Sequence, residues 1–227
     1  MARTREFDTE AAIDAATAVF WHQGYAATSI QDLVDATGLG RGSLYAAFGS
    51  KDGLYEAALT QYARRTATDN TRRLDRPAPV REILRDLLLD TIESTARDPR
   101  RRGCLITNTA VERTPHDPMA ARVVTDALDG LTACVADVLR RGRERGELPP
   151  DTDTAALADL VVTTVQGLRV RAKAGTDPAR LNAVVDLLLS VVPDGSPDGP
   201  PTSATHRPSA RTSPRTSDRP TSKGTTT

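Results

Sequence analysis

A segment of eleven residues carries side chains with the chemistry to hold an anionic polymer. It contains Arg41, Gly42, Ser43, Tyr45 and Lys51. A guanidinium can bind phosphate or donate two hydrogen bonds to the edge of guanine, whereas an ammonium most often binds phosphate. A glycine lets the backbone approach a partner closely. The segment therefore favours contact with nucleic acid, with Arg41 and Lys51 as the main cationic groups.

Upstream of this segment, Thr28 is predicted to begin a helix, with Gln31 completing a capping box. The free amides and the dipole of a helix start favour a phosphate oxygen. We therefore expect Thr28 and Ser29 to anchor a phosphate backbone rather than to read sequence. Arg3 and Arg5 form a basic arm ahead of the first helix. Two alternatives remain for this arm: it makes no contact, or it touches the DNA backbone or a minor groove.

Cys104 is the residue best suited to covalent chemistry. It follows the run Arg100–Arg102 at a predicted helix start, and both features favour the reactive thiolate. A reactive sensor thiol and a small buried packing residue both fit this pattern. A cysteine-dependent enzyme using Cys104 with His116 is a third interpretation, although no orienting group or oxyanion arrangement is visible. Cys134, on an apolar helix face, is expected to be structural.

The elements that must position these residues are helices, because apolar residues recur at spacings of three and four. Gly24, Gly38 and Gly49 end the first three helices, and Ser50 caps a fourth. Pro77 and Pro79 then separate an N-terminal group from a C-terminal group. The C-terminal helices are predicted at about 80–98, 104–113, 119–145, 153–173 and 178–192. The predicted fold is all-α, with two helical domains and a boundary near 75–79.

Residues 28–48 have the pattern of helix, glycine turn and short helix, which is the spacing of a helix-turn-helix. Residues 6–66 resemble the N-terminal domain of the TetR/AcrR family of bacterial transcriptional regulators. The resemblance is strongest over GSLYAAFGSKDGL and is carried by Phe20, Gly24, Tyr25, Thr28, Ser29, Ile30, Leu33, Thr37, Gly38, Leu39, Gly42, Ser43, Leu44, Tyr45, Phe48, Lys51 and Leu54. Two positions depart from the family. Gly40 stands where Ser or Thr is frequent and Ala47 where many members have His, so the operator is less predictable by analogy.

This resemblance implies a basic arm at 1–5, a three-helix DNA-binding domain at 6–66 with the helix-turn-helix at about 29–48, and a ligand-sensing and dimerisation domain at 78–192. Helices at about 153–192 would pair with their copies in a homodimer that binds a palindromic operator. A small molecule would release it. The implied function is a ligand-responsive repressor, with an activator or dual regulator as the alternative, and no enzymatic activity. Tyr45 and Lys51 match positions that commonly contact DNA.

The string Gly103-Cys104-Leu105, followed by Asn108, also resembles a subgroup of the family in which some members sense electrophiles or oxidants through that cysteine. An alternative function is therefore a thiol-based repressor that uses Cys104. The sensing helices are rich in Leu, Val, Ile and Ala, from which we expect a largely apolar effector. Neither a metal nor a cofactor is expected.

The chain of 227 residues has thirty basic and thirty acidic side chains, and residues 1–75 have eight and ten. Non-specific attraction to DNA should therefore be weak, and specific binding should need both half-sites. Residues 193–227 contain seven prolines and fourteen serines or threonines and are predicted to be disordered. The chain has no apolar run of about 18 residues and its start is too polar for a signal peptide. We therefore expect a soluble, cytoplasmic, nucleoid-associated protein without membrane contact.

Overall fold

The computed structural model describes residues 8–195, which contain helices and no strand. The helices are α1 (Thr9–Gln23), α2 (Ile30–Thr37), α3 (Arg41–Phe48), α4 (Lys51–Leu74), α5 (Val80–Arg97), α6 (Leu105–Glu112), α7 (Pro118–Glu144), α8 (Thr154–Lys173) and α9 (Pro178–Val191). The predicted all-α fold is confirmed. Within this range no helix is long and apolar enough to cross a bilayer. The predicted arm at 1–5 and residues 196–227 of the predicted tail lie outside the described residues.

The start of α2 differs from the prediction by one position. Ser29 is the N-cap, because its hydroxyl oxygen accepts from the amide of Asp32 and the Asp32 carboxylate accepts from the amide of Ser29. Thr28 instead donates its hydroxyl to the carbonyl of Gly24 at 2.6 Å. The predicted capping box of Thr28 and Gln31 is therefore wrong. The side chain of Thr28 is committed to the turn, and Asp32 takes the third helical position that the motif requires.

The turn between α3 and α4 is short and crowded. Gly49 follows α3 with φ of 74°, a value that favours glycine. Ser50 caps α4 as predicted, and its hydroxyl oxygen accepts from the amide of Gly53 at 3.0 Å. A methyl group on Gly53 would lie 2.1 Å from the carbonyl oxygen of Phe48, far inside van der Waals contact. Gly53 therefore lets α3 lie close to the start of α4.

The buried apolar residues form two clusters. One joins α1, α2, α3 and α4 to the start of α6 and the first half of α7, and includes Phe20, Leu54, Leu105 and Val124. The other joins α5, α8 and α9 to the second half of α7. The N-terminal helices thus share their core with two segments that follow α5 in sequence. The predicted domain limit at residue 66 falls inside α4, and the predicted limits stay predictions.

The last three helices begin and end within one residue of their predicted limits. Aspartates cap all three, and Pro118 and Pro178 occupy first-turn positions where no amide is needed. Arg81, at the start of α5, holds the end of α9 by donating to the carbonyls of Leu189 and Val192, each at 2.6 Å. One side of α9 is therefore fixed on α5, while the other side faces outward.

Candidate nucleic-acid interface

The outward face of α3 presents the predicted contact residues without partners. Arg41, Ser43 and Tyr45 are exposed, and 44% of the Tyr45 surface is accessible. Over residues 8–195, none of these three side chains makes a hydrogen bond, ion pair or ring contact. On the opposite face Leu44 is buried and Phe48 is half-buried. The apolar face of α3 is therefore packed against the core, and its opposite, polar face is exposed.

The first turn of α3 also presents free backbone amides. Gly40 caps the helix without a side-chain hydrogen bond, and its carbonyl accepts from Ser43 and Leu44. The amides of Arg41 and Gly42 are left without an intrahelical acceptor. No atom lies within 4 Å of the place a Cβ would take on Gly40 or Gly42. A phosphate oxygen or a base edge can therefore approach this turn closely.

Thr28 and Ser29, which were predicted to act alike, have different surroundings. Ser29 is exposed at the start of α2, beside the free amides of the first turn. Thr28 is only 2% exposed, and its hydroxyl hydrogen is used by Gly24. It has no side-chain donor left for a phosphate oxygen. The geometry therefore gives Thr28 the role of holding the turn before α2. The Ser29 hydroxyl donates to Asp32 Oδ2 at 2.7 Å, and its amide donates to the same oxygen. The predicted anchoring is therefore left to the free amides that follow Ser29.

Lys51 lies against the ring of Tyr25, on the side of the α3–α4 turn. Its Nζ is 4.2 Å from the ring centroid, and the guanidinium carbon of Arg113 is 3.7 Å from the same centroid. Cation–ring attraction restricts both side chains. Burial lowers the pKa of Lys51, although Asp52 opposes this effect. Among the described residues no carboxylate forms an ion pair with Lys51, so its charge is available to a phosphate.

Asp52 links the start of α4 to the segment after α6. The Tyr25 hydroxyl donates to Asp52 Oδ1 at 2.6 Å, and Arg113 donates to the same oxygen at 3.0 Å. The Tyr25 hydrogen bond lowers the pKa of Asp52, and burial followed by Asp52 raises the pKa of Tyr25. Arg113 also pairs with Asp117, the N-cap of α7, at 2.5 Å. Arg113 therefore connects the start of α4, which carries Lys51, to the start of α7.

Glu112 makes a second connection between the C-terminal helices and the N-terminal helices. Its carboxylate accepts from the amides of Tyr25 and Ala26 at 3.1 and 2.8 Å, in the turn between α1 and α2. Sequence reasoning missed both Glu112 and Arg113, because an acid beside a base at a helix end resembles ordinary solvated charge. The pair Asp117-Pro118 does mark a helix start. It indicates where α7 begins, and carries no information about what the preceding residues contact.

Cys104 lies at the N-cap of α6 and is 5% exposed. Its Sγ is 3.7 Å from the Tyr62 hydroxyl and 3.5 Å from Nη1 of Arg169. Burial raises the pKa of the thiol, but Arg169, Thr107 and Tyr62 together lower it by more, so its net pKa is below the ordinary value. The cation beside the sulfur comes from α8, and not from the neighbouring run Arg100–Arg102 that the sequence favoured.

Two cavities meet at Cys104. One, of about 400 Å³, lies between the end of α1, α6 and α8, and the other, of about 260 Å³, lies between α4, α5 and the start of α6. Trp21, Gly103, Cys104 and Arg169 line both. The walls carry hydroxyl, amide and charged groups beside apolar ones. This lining is more polar than the abundance of Leu, Val, Ile and Ala predicts.

The structure does not bring Cys104 and His116 together. His116 is exposed and lies beyond the far end of α6, whose eight residues span about 12 Å. His22, at the end of α1, is also exposed, whereas Trp21 packs edge-on against Tyr62. Within residues 8–195 no group of three histidine, cysteine or acidic side chains converges as a metal site. The predicted pair of Cys104 and His116 is therefore not assembled in the structure.

Two family models match the chain. The model of bacterial regulatory proteins of the tetR family matches residues 12–58, and the model of a tetracyclin repressor-like C-terminal domain matches residues 78–188. The first contains the helix-turn-helix with its free α3 face, and the second contains the segment of Cys104 and most of the outward side of α9. Both parts of the chain therefore match one family.

Relatives of known sequence and structure agree. The uncharacterized helix-turn-helix regulator YezE of Bacillus subtilis (strain 168) is 37% identical over 194 residues, covering 85% of this chain and 100% of the relative. The repressor ComR of Escherichia coli (strain K12) is 30% identical, covering 85% and 92%. A cysteine variant of the TetR-family regulator CifR, solved with 26-bp operator DNA, is 34% identical with a TM-score of 0.75, covering 84% and 100%. These matches and the free polar face of α3 show that the chain belongs to the TetR family of bacterial DNA-binding transcriptional regulators.

Proposed function

We propose that the protein is a homodimeric repressor that binds a palindromic operator and releases it when a small molecule binds. The observation that carries this proposal is the face of α3, where Arg41, Ser43 and Tyr45 are exposed without partners beside two free amides. In this proposal Arg41 and Tyr45 reach base edges, and the free amides at the start of α2 and the ammonium of Lys51 hold phosphates on either side. ComR is named as a repressor, and the CifR variant was solved on operator DNA, which supports this direction of regulation. Because the partner is chromosomal DNA, the proposal places the protein in the cytoplasm with the nucleoid.

A footprint on the DNA upstream of the protein's own coding region tests this proposal. We expect two protected half-sites whose centres are about 34–36 Å apart, or a multiple of one DNA turn, because each protomer contributes one recognition helix. Deleting the gene should raise transcription from the protected promoter. A fall in transcription would instead identify an activator, and an absence of protected half-sites on any candidate promoter would contradict the proposed function.

The outward sides of α8 and α9 supply the surface for dimerisation. Of the six large apolar side chains exposed among residues 8–195, four lie on these two helices: Leu160, Leu187 and Val191, and also Val170, which lines the cavity of about 400 Å³ beside Cys104. Such a concentration of exposed apolar surface on adjacent helices is typical of a protein interface. It coincides with the segment, 153–192, that the sequence assigned to pairing with a second copy. We infer that two copies meet here in a four-helix arrangement.

Breaking this surface should separate dimerisation from folding. The double variant Leu160→Glu, Leu187→Glu places four carboxylates in the inferred interface, and we expect a monomer by analytical ultracentrifugation. Its operator affinity should fall by about 100-fold or more, because two linked half-sites become two independent ones. The control is Ala67→Glu, which adds one carboxylate per protomer at an exposed position of α4 and should stay dimeric. A double variant that remains dimeric would exclude this face as the interface.

A second candidate function is control by a reactive thiol, and the surroundings of Cys104 favour it. The sulfur lines both cavities, and Arg169 and Tyr62 stabilise its thiolate form. The thiolate is the form that attacks an electrophile. Modification would enlarge a buried side chain at the start of α6, whose other end holds the DNA-binding helices through Glu112. The modified protein would therefore favour a form that does not fit the operator.

Cys104→Ser tests this candidate. We expect N-ethylmaleimide to release the parent protein from its operator and to leave the Cys104→Ser variant bound, because serine forms no comparable nucleophile at neutral pH. Cys134→Ser is the matched control and should behave as the parent, since Cys134 lies half-buried on α7 against Thr71. Equal release of the Cys104→Ser variant and the parent would exclude a thiol switch at this position.

A further inference from the structure

A cavity of about 400 Å³ lies where α6 faces α8, and its walls include Trp21, Cys104, Thr107, Asn108, Arg169 and Lys173. We propose that this cavity binds a small organic anion, through a carboxylate or phosphate group held by Arg169 and Lys173, and that this anion is the effector. The volume is that of an ordinary small-molecule site. The effector part rests on the proposed function, whereas the anion site itself does not.

The two cations in the wall have no carboxylate partner among the described residues. Arg169 is 3.5 Å from Cys104 Sγ and from the Gln166 side-chain oxygen, and Lys173 Nζ is 2.8 Å from the Asn108 oxygen. Among the described residues no carboxylate lies within ion-pair distance of either cation. They stand four positions apart on one face of α8, where like charges repel. An anion between them would relieve that repulsion and accept the remaining donors of both groups.

No carboxylate of the wall neutralises the charge of Arg169 and Lys173. Glu112 is the one carboxylate among the lining residues, and its oxygens accept the amides of Tyr25 and Ala26. Behind Arg169, the amide nitrogen of Gln166 is buried without a hydrogen-bond partner in the described part of the chain. The side-chain oxygen of that amide accepts from Thr107, a wall residue.

The rest of the wall fits an apolar body attached to the anionic group. Trp21, Val111 and Val170 line the same cavity, and Val111 and Val170 are both exposed. The indole of Trp21 is fixed by donating to the carbonyl of Gly103 at 3.1 Å. A ligand with a ring or short chain and one anionic end would therefore cover apolar surface while its charge meets α8.

The position of Glu112 suggests how such a ligand would act on DNA binding. Glu112 lines the cavity and holds the turn between α1 and α2. A second anion in the cavity would repel this carboxylate and weaken its hold on the two amides. The turn precedes α2, which packs beside α3, so its release would change the placement of the recognition helix.

Trp21 provides a direct readout, because it is the single tryptophan of the chain and lines the cavity. We expect cyclohexanecarboxylate or cyclohexyl phosphate to change its fluorescence saturably, and the neutral cyclohexanecarboxamide to have little effect. Whichever anion binds more tightly identifies the preferred head group. Equal responses to the amide and to both anions, or no saturable response to either anion, would overturn the site.

Charge-removing variants locate the binding. Arg169→Gln and Lys173→Gln should each weaken binding of the anion by about 10-fold or more, since each removes a charge-assisted contact. Lys173 is exposed, so its replacement keeps the test valid even when Arg169→Gln alters folding. Arg171→Gln, an exposed cation elsewhere on α8, is the control and should bind as the parent does. Unchanged affinity in the Lys173→Gln variant would overturn the assignment.

Operator release separates the two parts of the proposal. With the same anion present at saturation, we expect the dimer to dissociate from its operator, and the Lys173→Gln variant to need at least about 10-fold more anion for release. Saturable binding without release would leave the anion site established and overturn its role as the effector site. Failure of the protein to bind any operator would overturn the proposed function instead, and the fluorescence result would stand independently.

Discussion

Replacing both Arg41 and Lys51 by alanine is expected to abolish useful operator binding while the dimer stays intact. Arg41 is exposed without a partner at the first turn of α3, and Lys51 stands at the first turn of α4. A good contact between arginine and a base contributes about 1–3 kcal/mol, and a dimer makes it twice. With the loss of the Lys51 contacts, we expect an affinity loss on the order of 10²- to 10⁴-fold in an electrophoretic mobility assay.

The salt dependence of the single variants separates the two roles. Removing Lys51 deletes two phosphate contacts per dimer, so the slope of log K against log salt should become shallower by about 1.8. Arg41→Ala should change that slope less and relax the base preference at one position of each half-site, as expected of a residue that reads a base. Arg122→Ala removes an exposed cation from α7 and serves as the control. If the double variant bound as tightly as the parent, the α3 face would not be the interface.

The second large effect is expected from a glycine that touches no ligand. Gly53→Ala should disable DNA binding, because its methyl group would lie 2.1 Å from the carbonyl oxygen of Phe48. The turn between α3 and α4 must open to admit it, and α3 must move from the position in which it is held. Overpacking of this kind costs about 1–3 kcal/mol, which for a chain of this size lowers Tm by roughly 2–12 °C. Calorimetry and the mobility assay measure the two effects.

The sign of the Tm change distinguishes strain at Gly53 from the usual effect of a Gly→Ala substitution in a helix. In an ordinary helix interior, Gly→Ala stabilises by about 1 kcal/mol, so an alanine at position 53 should lower Tm only because of the contact with Phe48. Gly130→Ala is the matched control. It lies inside α7 with nothing within 4 Å of the added carbon, and we expect its Tm to rise. An increase in Tm for the Gly53→Ala variant would show that the turn adapts without strain.

Local sequence signals placed most of the helices correctly. Apolar periodicity and the caps at Gly24, Gly49 and Ser50 set the limits of the N-terminal helices, because these features act within a few residues of one another. The error at Thr28 has the same origin. Thr28 and Ser29 are both good N-cap residues, and only the hydrogen bond from Thr28 to Gly24 determines which one caps α2.

The candidate site was less predictable, since its residues come together only through tertiary packing. Arg169 lies 65 positions from Cys104, and no local pattern connects them. Glu112 similarly reaches back across the fold to the amides of Tyr25 and Ala26. Periodicity shows that a helix has an apolar side, but it does not show which helix will cover it. The polar lining around Cys104 and the hydrogen bonds from the α1–α2 turn to Glu112 could therefore be recognised only in the three-dimensional structure.

The apolar cluster that joins the N-terminal helices to α6 and α7 restricts how this regulator can be rebuilt by recombination. Leu105, Ile106, Ala120 and Val124 fill the same core as Phe20 and Leu54. A chimera that joins residues 1–66 to the C-terminal domain of another regulator would leave Phe20 and Leu54 facing a foreign surface. Exchange of operator specificity between relatives should therefore succeed when residues 104–128 are transferred together with the N-terminal helices, although that segment is remote from them in sequence. The segments that must be exchanged together to transfer DNA recognition are therefore not contiguous in sequence.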